Sequence, residues 1–165
     1  TQSNSWCEEE KIRPSTLLEL CLKNRKGTPA TDFDYVAADG TKSHLYALSS
    51  PYVILFFYDP ECAHCRQLID QMHHSTVLNE ALEKHQLQLL TIYPYADTTA
   101  WRTALANLPT AWINSYNPES TILSDELYEL KITPALYLLD SQKKVLVREG
   151  SPSEIEQALL PANEQ

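Results

Sequence analysis

Residues 52–65 read YVILFFYDPECAHC. The first seven are an unbroken apolar and aromatic run, and Ser50-Pro51 interrupts the chain just before them. Such a run reads as a strand buried on both faces, and so as the middle of a parallel or mixed sheet. It is far too short for a membrane helix, which needs ~20 apolar residues. Two cysteines with two residues between them follow at once, and from about Ala63 to His85 the pattern becomes helical. Pro60 suits a helix entrance, where a missing N–H costs nothing. A buried strand is thus expected to hand the chain to a helix, with Cys62-Ala63-His64-Cys65 at the junction.

Working outward, Phe33–Leu48 holds two strand-like runs, FDYVA and SHLYAL, either side of Asp39-Gly40, a strong hairpin signal. Before them, Leu17, Leu18, Cys21 and Leu22 fall at helical spacing, and Gly27 makes a natural stop. Residues 1–26 are therefore read as an N-terminal extension with a short amphipathic helix, and 27–165 as the main domain. After the dithiol come a strand at 87–95 (LQLLTIYPY), a helix at Thr98–Leu108 and a short strand at Trp112-Ile113. A helix over Ile122–Leu130 follows, then strands ALYLLD and KVLVRE around the turn Ser141-Gln142-Lys143. A closing helix spans Ser153–Leu160, capped by Ser151 or Ser153. Strands alternating with helices predict an α/β sandwich with a central mixed sheet.

The chain has 165 residues, 43% of them hydrophobic, enough for a packed core without a disulfide framework. Its net charge of −9 argues against nucleic-acid or anionic-membrane partners, which need basic patches. The chain opens at Thr1 rather than on a methionine, and an export signal is expected to have preceded it.

The dithiol has three readings. Structural zinc wants four ligands, and no second CxxC is present. On a helix His73 would lie about 16 Å along the axis from Cys62, too far to share a metal. Cys62, His64 and Cys65 could together hold Cu(I). An inert staple is the second reading, but a loop this short contributes little entropy. The third is a working redox pair. At a first helical turn, free N–H groups and the helix dipole would stabilise a Cys62 thiolate, and Cys65 would lie one turn deeper on the same face. Cys62 is then the nucleophile and Cys65 the resolving thiol. An imidazolium at His64 would favour the thiolate further.

These features resemble the thioredoxin superfamily, and within it the TlpA/ResA-like thiol–disulfide oxidoreductases of bacterial envelopes. GTPATDFDYVAADGTKSHLYAL is similar to the family's first hairpin, VILFFYDPECAHC to its central strand and active site, and KITPALYLLDSQKKVLVREG to its cis-proline strand and final hairpin. The resemblance implies a thioredoxin-like three-layer α/β/α sandwich and a cis peptide at Pro134. It makes Thr133 and Pro134, with Glu61, substrate contacts. It implies protein thiols and disulfides as substrates, a membrane or envelope electron donor, a location in the periplasm or cell envelope, a monomer, and no cofactor or metal. Glu61 stands where many thioredoxins have tryptophan, and Phe56 where they keep a buried aspartate. Proton transfer must then use water, His64 or the carboxylates of Asp59 and Glu61. The histidine before Cys65 resembles strongly oxidising periplasmic enzymes, while the overall build resembles the reducing ones. A peroxiredoxin fits poorly, because Asp59 replaces its threonine. A Cu(I) carrier and a non-catalytic interaction domain remain alternatives.

With Cys62 and Cys65 paired, Cys7 and Cys21 are left, and a bridge between them is expected to tie the N-terminus to the first helix. The alternative is a buried Cys21 thiol and a free Cys7. Trp101, Trp112, Tyr93 and Tyr95 make an aromatic-rich stretch, read as core or rim packing or as a groove near the dithiol.

Overall fold

The structure is a computed structural model that describes residues 24, 26–95, 97–125, 127, 128, 134–148 and 150–164, the last five as backbone. The expected N-terminal helix, the Cys7–Cys21 bridge and Thr133 lie outside the described residues. Among them, seven strands form one sheet: β1 (Asp34–Ala37), β2 (Lys42–His44), β3 (Tyr52–Phe57), β4 (Leu87–Tyr93), β5 (Ile113–Tyr116), β6 (Ala135–Leu139) and β7 (Val145–Arg148). Their order is β2-β1-β5-β4-β3-β6-β7.

The apolar run is β3, in the interior of this sheet. It pairs parallel with β4, Tyr52↔Leu87 through Phe57↔Ile92, and antiparallel with β6, Val53↔Leu139 through Phe57↔Ala135. Because side chains alternate along a strand, Ile54, Phe56 and the following Tyr58 enter one core, and Val53, Leu55 and Phe57 enter the other. All six are fully buried. The double burial accounts for a sequence with no polar alternation.

The first core lies under α1 (Ala63–His73), α2 (Thr76–Glu83), α3 (Thr99–Ala104) and α5 (Pro152–Glu164), through Leu68, Met72, Leu78, Trp101, Ile155 and Leu159. The second is covered more thinly, by the four-residue α4 (Thr121–Ser124), a 3-10 turn at Leu45–Ala47, and Phe33 and Tyr128. The result is a thioredoxin-like α/β/α sandwich around a mixed sheet. The hairpin is present as β1–β2, with Gly40 at φ +91° in the turn, a conformation that suits glycine.

Several boundaries differ from the sequence reading. The single helix expected over Ala63–His85 is two, broken at His74-Ser75. Met72 and Leu78 are both buried, yet six residues apart on one continuous helix they would face different sides at about 100° per residue. The break brings both into the core. Ser75 makes the new start: its hydroxyl accepts from Leu78 N at 3.2 Å and donates to Glu156 of α5. Near β2, SHLYAL is strand only to His44, because Asp32 captures His44 and the Tyr46 amide at 3.0 and 3.1 Å and curls the chain. The expected helix at Ile122–Leu130 ends at Ser124; Tyr128 turns into the second core and donates to Thr31 O at 2.7 Å. The helix at Thr98–Leu108 finishes as a 3-10 turn over Leu105–Asn107. Ser151 caps α5 reciprocally with Glu154, each backbone N–H bonding the other side chain at 3.1–3.2 Å.

Ser75→Ala removes both the cap and the tie to α5. It should lower unfolding stability by about 1–2 kcal/mol in urea titration, more than Glu156→Gln does. An unchanged midpoint would mean that packing alone sets the break.

Candidate active site

The end of β3 delivers the dithiol directly. Cys62 is the N-cap of α1 with extended backbone, and its sulfur accepts the Cys65 N–H at 3.4 Å. An oxygen-bearing residue usually fills that position, because the first helical N–H groups have no partner in the helix. Here a sulfur takes the role. The turn before it is tied by Cys62 N to Asp59 O and Glu61 N to Asp59 Oδ1, both 3.0 Å. Arg66 closes the same turn from the helix side, donating to Pro60 O at 3.0 Å.

The two thiols, both free, occupy unlike environments. Cys62 is half-exposed, and the Cys65 amide is the main cause holding its pKa below the ordinary thiol value. Burial and the nearby Asp59 carboxylate oppose that effect. Cys65 is 0% exposed, and burial pushes its thiol up to about 12. Its sulfur accepts the backbone N–H of Asp59 at 3.5 Å. The arrangement presents a thiol of lowered pKa to solvent and keeps one of raised pKa buried behind it.

Beneath Cys65 the sheet carries aromatic rings. Phe56 is buried and stacks on Tyr58 at 5.4 Å and 11°. Burial keeps the Tyr58 phenol neutral, pushing its pKa far up. No carboxylate lies at the position where the resemblance would put one; Asp59 is half-buried and Glu61 exposed at the strand's open end. His64 is exposed on the first turn of α1. Pro134 is half-buried and directly precedes β6. Since Phe57 pairs with Ala135, the register brings Pro134 beside Tyr58, at the sheet end that holds the dithiol. Cys62, Cys65, His64, Glu61 and Pro134 are thus gathered at one end of the sheet.

Among the neighbours supplied by β4, the sequence reading names Tyr93 and Tyr95 as packing or groove residues but misses Asp97. Tyr58 N donates to Ile92 O at 3.2 Å, so Tyr93, Tyr95 and Asp97 emerge beside the dithiol loop. The general rule that sites form beyond the carboxyl ends of parallel strands could have flagged them. A groove of about 440 Å³ runs between α1 and the end of α3, lined by Tyr58, Pro60, Arg66, Ile69, His73 and Leu108. No group of side chains suited to a metal ion occurs among the described residues.

A thioredoxin-like protein from Bacteroides caccae is 38% identical, with a TM-score of 0.88, over 93% of this chain and 56% of its own. The C-terminal domain of an uncharacterized protein from Bacteroides fragilis is 34% identical, with a TM-score of 0.81, over 83% of this chain and 98% of its own. The chain belongs to the thioredoxin superfamily. This thioredoxin-like chain therefore spans little more than half of the Bacteroides caccae protein. The thioredoxin domain of a thiol-disulfide oxidoreductase from Bacteroides vulgatus shares the fold, with a TM-score of 0.72 at 16% identity over 84% of this chain and 97% of its own. No protein-family model matches the chain, and no curated protein does. No described helix is long and apolar enough to cross a membrane.

The thiol asymmetry has a pH signature. Only thiolate is alkylated, so the rate at Cys62 should rise with pH about a midpoint below that of an ordinary cysteine, ~8.5. Cys65 should stay unlabelled across the same range until the protein is unfolded. Mass spectrometry of iodoacetamide-treated reduced protein distinguishes the two; equal labelling would contradict the burial of Cys65.

Proposed function

We propose that the chain reduces protein disulfides in the cell envelope through Cys62 and Cys65. The observation that carries this reading is the unequal pair: a cap thiol that receives a helical N–H, backed by a fully buried thiol three residues on. The Cys62 thiolate attacks one sulfur of a substrate disulfide. A mixed disulfide forms, and the first substrate sulfur leaves as a thiolate that takes a proton from water. Cys65 then loses its proton, attacks Cys62 Sγ and releases the second substrate thiolate. Two electrons pass from the dithiol to the substrate, and an envelope thiol donor must restore them.

The direction rests on how little holds the Cys62 thiolate. A strong oxidant stabilises its reduced form heavily. Here the main support is one backbone N–H, from Cys65 at 3.4 Å, and burial and Asp59 work against the charge. Pro134 fits a substrate-contact place packed beside the dithiol, given its position one step beyond the Phe57–Ala135 pair. Glu61, exposed and next to Cys62, fits a substrate contact. Thr133 is proposed alongside them on the resemblance alone. Among the described residues the Cys65 proton has no buried carboxylate to receive it, which favours water or Asp59 at the open end of the strand.

The test is insulin reduction together with equilibration against glutathione. Cys62→Ser should reduce turnover to background, and Cys65→Ser should accumulate a mixed disulfide with substrate. The potential should lie nearer thioredoxin's, about −270 mV, than the about −120 mV of strong periplasmic oxidants. Turnover that survives Cys62→Ser would sink the proposal, and a potential near the oxidants would reverse its direction.

A further inference from the structure

The surroundings of Cys62 are unusually rich in negative charge. From Tyr58 to Arg66 the sequence places Asp59 and Glu61 before the thiol and a single fixed cation, Arg66, after it. Arg66 is turned toward Pro60 O on its own loop. The Asp59 carboxylate is held on the thiol's own turn by its bond from Glu61 N. Beside this loop, the segment leaving β4 folds back on itself. Tyr93 donates to Asp97 O at 2.6 Å, and the Asp97 carboxylate is fixed by Thr99 N at 3.0 Å. The Tyr93 and Tyr95 rings meet edge to face at 5.4 Å. Asp59, Glu61 and Asp97 all bear on the Tyr93 phenol, raising its pKa after the larger effect of burial. Three carboxylates and two phenol rings thus share the sheet end from which Cys62 is approached.

We infer that this rim selects disulfides whose flanking groups are cationic, such as a lysine or arginine beside the bridged cysteine. The inference rests on the thiol-exchange reading and names the substrate class of that same site. The chemistry follows from the approach. A substrate that brings its sulfur to Cys62 Sγ carries its neighbouring side chains into the field of Asp59, Glu61 and Asp97. An ammonium or guanidinium gains Coulomb attraction there, and a tyrosine face can take it as well. An anionic neighbour is repelled, and the net charge of −9 acts in the same sense at longer range. The cation also stabilises the substrate thiolate as it leaves, since a lower-pKa thiol leaves faster. The bonds made and broken are those of the exchange already described.

Three small disulfides separate charge from the rest of substrate recognition: cystamine, a dication; hydroxyethyl disulfide, neutral; and dithiodipropionate, a dianion. Stopped-flow rates with the reduced full chain are divided by the rates of free mercaptoethanol with the same compounds, which removes their intrinsic reactivity. At low salt the normalised rates should fall in that order, with cystamine ahead of dithiodipropionate by on the order of tenfold. The ratio should shrink in high salt, and shrink also in Glu61→Gln/Asp97→Asn, whose amide at 97 can still accept from Thr99 N. Equal or inverted normalised rates would overturn the inference and leave thiol exchange standing. A cystamine preference unchanged by both salt and the double substitution would overturn it too, because the carboxylates would not be its cause. No reaction with any of the three would overturn the exchange reading, and this inference with it.

Discussion

The burial of β3 on both faces is the constraint on which the rest depends. Six consecutive side chains, Val53 to Tyr58, are removed from water and split alternately between two cores. At roughly 25 cal/mol per Å² of apolar surface, such a strand holds its place in the sheet firmly. A slip of one residue would exchange the two sets of side chains. Its C-terminal end is thereby fixed in space, and the chain leaves it through Asp59-Pro60-Glu61 into the first turn of α1. The position of Cys62 follows from the packing of a strand that contains neither cysteine.

What the end of β3 receives is a helix start capped by sulfur. Hydroxyl and carboxylate caps satisfy the first amides of a helix because they accept well. A thiol accepts poorly and a thiolate better, so the capping geometry favours ionised Cys62. The same turn carries Cys65 inward into the first core, which also holds Phe56, Tyr58 and Trp101. One local structure therefore drives the two thiols apart in acidity, by exposing one to amides and the other to rings. Among the described residues no buried carboxylate lies beneath Cys65, and Phe56 stands where the resemblance would put one.

The charge around the opening has a different origin. Asp59 and Glu61 come from the loop after β3, and Asp97 from the segment after β4. Parallel neighbours end at the same edge of a sheet, so their following loops meet. The anionic rim is a consequence of strand order, built from residues more than thirty positions apart in the chain.

The sequence alone was sufficient for the features that depend on neighbouring residues. The unbroken run Tyr52–Tyr58 made β3 a central strand, Cys62 and Cys65 made the helix junction a dithiol, Asp39-Gly40 made the hairpin, and Ser151 was among the expected caps. Periodicity and turn chemistry act over a few residues, and no partner is needed to read them. The break at His74-Ser75 was hidden, because it arises where Ser75 meets Glu156 of α5 and where Met72 and Leu78 must share a core. The early end of β2 was hidden for the same reason, in the reach of Asp32 to His44 and Tyr46. Only tertiary structure could bring Asp97 to the dithiol, and it also sets Pro134 there, a place that the family resemblance implied and the local pattern did not. Their positions are set by the register of β6 and β4 against β3, and that register is fixed by packing across the whole sheet.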